Sequence, residues 1–338
     1  MGKRGILGLV LVLALVGAAC GGDDDGSGGN ELTGDLFISG SSTVEPITGL
    51  VAELFNETEP GVAINVEGPG TGDGFELFCN GETDISDASR PIDEEDEVPV
   101  CQENGIEYIE LEVAIDGMAV MTHPDNTAVS CLAFTDLYAL MGPESEGYAN
   151  WSDANDLAAE LGAPNAPYPD ADLTMVAPGE ESGTYDSFVE LAFEDIATER
   201  GIPEDDIGAR PDYQSSANDN VIIEGIAGSS ASLGWVGYAF YVENQDVVKG
   251  IEVDDGESGC VAPNEGTIAS GDYPLQRSLY IYVNAAKLAQ KPALRAFVDF
   301  YLSDDGLRTA VSRVGYVQLP DDRIEQTRGT WESEGAAA

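Results

Sequence analysis

Three short segments combine glycine with hydroxyl side chains: Gly40-Ser41-Ser42-Thr43, Gly70-Thr71-Gly72-Asp73-Gly74 and Glu181-Ser182-Gly183-Thr184. Each follows a strand-like run and precedes a stretch with helical spacing. A helix N-terminus presents unpaired backbone N–H groups and the positive end of the helix dipole. Glycine lets a ligand approach the backbone, and Ser or Thr adds a hydroxyl donor. Such a set holds a small oxyanion without any Lys or Arg. Ser, Thr and Gly before a helix also serve as plain caps. Three turns of one design, each after a strand, favour a shared ligand.

The elements that must position these turns follow from periodicity. Residues 36–39 form a short apolar strand. Residues 43–56 carry Val44, Ile47, Leu50, Val51, Leu54 and Phe55 at helical spacing. Ser42 or Thr43 is predicted to cap that helix, with Pro46 in its first turn. A strand at 62–66, a helix at 75–79 and a strand at 84–86 come next. Further strands are expected at 108–113, 118–122, 173–176, 233–241 and 279–283. Helices are expected at 134–141, 155–161, 185–198, 291–302 and 305–314, with an amphipathic stretch at 221–227. This alternation predicts an α/β fold with mainly parallel sheets.

The 338 residues allow one large domain or two medium ones, and 43% hydrophobic content is that of a folded protein. Asp and Glu number 63 against 14 Lys and Arg, a net charge of −49. That surface repels nucleic acid and anionic lipid, so no nucleic-acid partner is expected. It does not exclude an anion held at contact range by neutral dipoles, because distant carboxylates are screened by salt.

At the start, Lys3 and Arg4 precede an apolar run at 6–16 that leads into Gly17-Ala18-Ala19-Cys20. This is the pattern of a secretory signal over residues 1–19, with Cys20 lipidated as the mature N-terminus. Acyl chains there would anchor the protein to the outer face of the cytoplasmic membrane. Residues 20–33, rich in Gly and Asp, form a tether. The remaining cysteines, Cys79, Cys101, Cys131 and Cys260, form an even set in an exported chain, which predicts two disulfides with three pairings open. No CxxC is present and His123 is the single histidine, so no metal site is expected. A hydrolase would need His123 beside Ser42 or Ser182, and neither serine sits in a Gly-x-Ser-x-Gly elbow. The chain is read as a non-enzyme without a cofactor.

The segment Ile38-Ser39-Gly40-Ser41-Ser42-Thr43-Val44-Glu45-Pro46-Ile47 resembles the opening signature of the phosphate-binding proteins of high-affinity phosphate ABC transporters. The second signature resembles residues 68–75 followed by 78–92, with Asp84-Ile85-Ser86-Asp87-Ala88-Ser89-Arg90-Pro91-Ile92 at its end. The third resembles 178–188, and Gly234-Trp235-Val236-Gly237-Tyr238-Ala239 and Tyr273-Pro274-Leu275-Gln276-Arg277 fit later parts. The likeness runs in order from about residue 34 to 320.

The resemblance implies a two-lobed class II periplasmic-binding-protein fold. Lobe 1 would be residues 34–122 plus 278–330 and lobe 2 residues 123–277, with crossings near Thr122-His123-Pro124 and at 267–277. It also implies the pairings Cys79–Cys101 and Cys131–Cys260, and a phosphate site of Ser42, Thr43, Val44, Thr71, Ser89, Arg90, Ser182, Gly183 and Thr184. Some relatives have Arg where Pro178 stands and Asp where Ser89 stands, which leaves Arg90 as the one cationic contact. A carboxylate that accepts the phosphate O–H would repel fully ionised sulfate. Asp73, Asp87, Glu181 and Asp219 are the candidates. The expected partners are inorganic phosphate and a membrane permease, with the protein itself a monomer. The alternatives are another oxyanion such as sulfate, molybdate or tungstate, a secreted hydrolase, and an adhesion or signalling protein reusing the fold.

Overall fold

The computed structural model describes residues 32–180 and 182–336; the signal, Cys20, most of the tether and Glu181 lie outside the described residues. In chain order the strands are β1 (Gly34–Gly40), β2 (Val62–Glu67), β3 (Ile85–Ala88), β4 (Tyr108–Thr122), β5 (Cys131–Ala133), β6 (Thr174–Ala177), β7 (Gln214–Ser215), β8 (Ser232–Gly237), β9 (Lys249–Gly250), β10 (Glu252–Asp254) and β11 (Gln276–Asn284). The helices are α1 (Glu45–Thr58), α2 (Thr71–Cys79), α3 (Glu97–Glu103), α4 (Phe134–Met141), α5 (Asn155–Leu161), α6 (Gly183–Ala192), α7 (Glu194–Glu199), α8 (Asp219–Ala227), α9 (Tyr238–Glu243), α10 (Glu265–Ser270), α11 (Ala285–Leu288), α12 (Pro292–Tyr301), α13 (Thr309–Val314) and α14 (Asp321–Gly335).

Each anion-turn candidate lies where a strand hands over to a helix, as the periodicity predicts: β1 to α1, β2 to α2 and β6 to α6, but α2, expected from Phe75, already begins at Thr71 inside the second segment. Helix α1 forms because Ile47, Val51 and Phe55 recur on one buried face and Pro46 sits where no N–H is needed. The main sheet runs β2-β1-β3-β11-β4-β8-β6-β7, with β9 beside β4. It is mixed where mainly parallel sheets were expected. β1 is parallel to β2 and β3, and β6 is parallel to β7 and β8. The joining strands β4 and β11 are antiparallel to each other, and they pair antiparallel with β8 and β3 respectively.

Strand β4 carries the second difference. Two strands were expected at 108–113 and 118–122, with residues 114–117 between them. The strand instead runs through, because Asp116 pairs with Arg277 and Gly117 with Gln276 in the β11 register. One oxygen of the Asp116 carboxyl also accepts from Ser187 inside the protein. One core gathers Leu36, Ile47, Phe55 and Ala114 with Leu279 and Phe297, and a second gathers Ile115, Met118, Trp151, Phe188, Trp235 and Leu275. The change of core therefore falls inside β4.

The strand expected at 233–241 stops at Gly237, where β8 loses its partner on β4, and residues from Tyr238 turn helical. The helix expected at 185–198 breaks at Phe193 into α6 and α7. Helices α3, α10 and α14 were not foreseen. α14 buries only Ile324, Thr327, Trp331 and Gly335, too few apolar residues to mark a period. Disulfides join Cys79 to Cys101 and Cys131 to Cys260, the pairing the resemblance implies. No described helix is long and apolar enough to cross a membrane.

Candidate functional site

The first turn is set by close packing of β1 on β3. A Cβ on Gly40 would fall 2.0 Å from the Asp87 carbonyl oxygen. The Ser41 N–H donates to that oxygen at 2.8 Å. The start of α1 is then satisfied locally. The Ser41 carbonyl accepts from the N–H groups of Val44 and Glu45, and Ser41 Oγ accepts from the Thr43 N–H at 3.2 Å. Val44 occupies the N-cap position without a side-chain cap and buries its side chain in the core. Ser42 and Thr43 thus do not cap α1, which corrects the sequence expectation. Their hydroxyls are free of capping and face other groups.

The second turn leans on the first. The Gly70 N–H donates to the Gly40 carbonyl at 2.9 Å. Gly70 has φ of 123°, a conformation that favours glycine. A Cβ on Gly74 would stand 2.4 Å from Gly40 Cα, so only glycine lets α2 sit this close to β1. Thr71 Oγ1 accepts the Ser89 N–H at 3.2 Å and lies 2.9 Å from Ser89 Oγ. The third turn meets the first from the other side. Ser182 Oγ accepts the Thr184 N–H at 3.2 Å as a plain cap, and a Cβ on Gly183 would stand 3.2 Å from Thr43 Cα.

The turns therefore converge, and a cleft of about 380 Å³ opens among them. Of the residues singled out from sequence, Ser42, Thr43, Thr71, Ser89 and Arg90 line it. Ser182, Gly183 and Thr184 border it through α6 but are not among its lining residues. Asp73 is exposed on α2, and Asp219 opens α8; neither lines the cleft. Asp87 lies buried behind the first turn, where burial raises its carboxyl to about 7 against the lowering hydrogen bond from Thr48. Glu181 is outside the described residues.

Two arginines line the cleft, and they differ in what holds them. Arg90 is committed to Glu97 on α3 by two hydrogen bonds of 2.9 and 2.8 Å and lies over the Phe75 ring. Arg277, at the start of β11, was quoted in the family pattern but not as a site residue. It is 8% exposed. Its Nη2 donates to Thr43 Oγ1 at 3.0 Å and to Ser187 Oγ at 2.6 Å. Its Nη1 pairs with Glu190, and its Nε stands 3.8 Å from Asp116. Arg277 was legible only as a rare cation in a chain with 14 Lys and Arg. Ser187, Asp186, Glu190 and Asp116 gave no signal among so many polar residues.

The wall opposite the first turn is acidic. Asp186, Glu190 and Glu194 recur every four residues along α6 and α7 and face the cleft. Ser42 Oγ donates to Asp186 at 3.0 Å. Burial raises the Asp186 carboxyl despite that bond, and burial raises Glu194 as well. Asp116 is fully buried and also raised by burial, against the lowering effect of Arg277 and of the Ser187 hydroxyl. The cleft thus offers hydroxyl donors and one buried guanidinium beside carboxylates that burial raises above their ordinary range.

A curled mixed sheet whose strand ends and helix N-termini meet at one cleft is the architecture of the class II periplasmic binding proteins. The chain belongs to this family: the model of the PBP superfamily domain matches residues 25–305. It is 36% identical over 322 residues to Protein SphX of Synechocystis sp., covering 95% of this chain and 86% of that one. It is 32% identical over 312 residues to the phosphate-binding protein PstS of Staphylococcus epidermidis, covering 92% and 87%. A solved structure described as a possible phosphate binding protein from Planctomyces limnophilus is 34% identical. It superposes with a TM-score of 0.80 over 90% of this chain and 99% of that one. A phosphate transport receptor from Vibrio cholerae, 21% identical with a TM-score of 0.58, shares the fold.

Proposed function

We propose that this protein binds inorganic phosphate outside the cytoplasmic membrane and delivers it to the permease of an ABC importer. The observation that carries the reading is the meeting of Arg277 with Thr43 and Ser187 in the cleft that Ser42 and Thr71 also line. The names of the relatives support it. Thr43, Ser42, Thr71 and Ser89 supply hydroxyl donors, and Arg277, far more buried than Arg90, supplies the main positive charge. Val44, Ser182, Gly183 and Thr184 hold the turns in place. Asp186 is the acceptor for the phosphate O–H. It lines the cleft and accepts from Ser42, which neither Asp73 nor Asp219 does.

Two further parts of the reading rest on sequence. Cys20 carries the lipid anchor, and the protein acts as a monomer. The lobes are taken as residues 34–122 plus 278–330 and residues 123–277. The two cores support a division a few residues earlier in β4, between Ala114 and Ile115. The non-enzymatic reading is supported by His123, whose Nδ1 accepts the Asp125 N–H at 3.0 Å and serves its own turn.

Titration calorimetry of ligand-stripped protein in EDTA, with phosphate, sulfate, molybdate and tungstate, tests this. Phosphate should bind and sulfate should bind at least 100-fold more weakly, given the cost of an unprotonated anion beside Asp186. Thr43→Ala should weaken phosphate by roughly 10- to 150-fold, the value of a hydrogen bond to a charged group. Asp186→Asn should narrow the gap between phosphate and sulfate, and Arg277→Lys should weaken phosphate more than Arg90→Lys. Absence of phosphate binding, or a preference for sulfate, contradicts the proposal.

A further inference from the structure

Arg277 is nine-tenths buried, and a guanidinium at that depth requires a counter-charge. Two carboxylates stand near it. Asp116 is fully buried and 3.8 Å from Nε, beyond hydrogen-bond range, and its carboxyl is held toward the protonated form by burial. Among the described residues Arg277 Nε has no hydrogen-bond acceptor. Glu190 is the partner in direct contact, with its side chain 42% exposed. The pair therefore has one fixed end and one loose end. Thr43 and Ser187 fix the guanidinium from the Nη2 side, while Nη1 meets a carboxylate that water can also reach. An ion pair with a solvated carboxylate is readily exchanged.

The spacing along the helix adds to this. Asp186 and Glu190 stand four residues apart on α6, and like charges at that spacing weaken a helix. Asp186 is taken up by Ser42 and Glu190 by Arg277, so carboxylates occupy the donors that an anion would use.

We propose that Glu190 is a built-in competitor for Arg277: an anion entering the cleft takes over the Nη1 donor, and Glu190 recaptures it when the anion leaves. Glu190 is a positioning residue in this scheme. It keeps Arg277 compensated and aimed, lowers affinity, and speeds release toward the permease. The inference rests on the phosphate reading.

The test compares Glu190→Gln with Glu194→Gln, because both remove one charge from the cleft wall and only Glu190 touches Arg277. Phosphate affinity and dissociation rate are measured by calorimetry and stopped flow. Glu190→Gln should tighten binding by about tenfold, mainly through slower dissociation, as befits one lost competing contact between charged groups. Glu194→Gln should tighten it by less than about threefold, the screened effect of a nearby charge. In an Arg277→Lys background the extra gain of Glu190→Gln should fall to the Glu194→Gln level. Equal effects of the two variants, or weaker binding in Glu190→Gln, overturn the inference. Failure of the unmodified protein to bind phosphate would overturn the functional reading instead.

Discussion

Burial lifts the Asp87 carboxyl well out of the ordinary carboxylate range. It is fully buried, accepts from Thr48 at 3.0 Å, and Thr48 in turn meets the Tyr301 hydroxyl at 3.1 Å. Burial raises it to about 7, with Glu45 adding to the rise. The folded protein therefore keeps a proton that the unfolded chain releases at ordinary carboxylate pH. Stability from this group is full below about pH 4, falls as pH rises, and is lost above about pH 7. A shift of this size corresponds to about 4 kcal/mol between those limits. Asp87→Asn keeps an acceptor for Thr48 and removes the titration. Denaturation at pH 4.5 and pH 8 should show the variant gaining stability relative to the parent at the higher pH; a pH-independent difference contradicts this. At this scale the cleft hydroxyls of Ser42, Thr43 and Thr71 were legible in sequence, because one design of Gly with Ser or Thr recurs after a strand, whereas Ser182 proved a plain cap. The charges were not. The pairing of Arg90 with Glu97 was not legible, because Glu97 lies on α3, a seven-residue helix without a visible period. Arg277 was missed because its value comes from the β4–β11 register that sets it opposite Asp116.

The elements meet at the cleft because glycines permit it. Gly74 is the sharpest case, with backbone of β1 only 2.4 Å from where its Cβ would be. Gly74→Ala must push α2 away from Gly40. It should cost about 1–3 kcal/mol of stability in urea denaturation. It should also weaken phosphate binding, since Thr71 rides on the same helix. Unchanged stability and affinity would mean that α2 does not need this approach. The strand-to-helix order around the three turns was readable from apolar period alone. The long strand β4 was not, because the sequence does not show the β11 register and the Ser187 hydrogen bond that carry Asp116 through it. The helical start at Tyr238 was hidden for a different reason. A run of aromatic and β-branched residues serves either state, and the end of β8 is set by where β4 stops pairing.

For the molecule as a whole, the difficulty is a chain of net charge −49 that takes up an anion. The structure shows how both hold. Carboxylates further than about 8 Å are screened at physiological ionic strength. The nearby ones, Asp116, Asp186 and Glu194, are raised by burial, which lessens their repulsion of an anion in the cleft. Two hydrophobic cores joined through β4 and β11 put the cleft where Arg277 and Asp116 lie on the connecting strands themselves. The position of the anion decides the account most directly. Crystals grown with arsenate, a phosphate mimic, and measured at the arsenic absorption edge would locate it by anomalous scattering. The account predicts one strong peak within hydrogen-bonding reach of Arg277, Thr43 and Ser42. A peak elsewhere on the protein, or none at saturating arsenate, would contradict it.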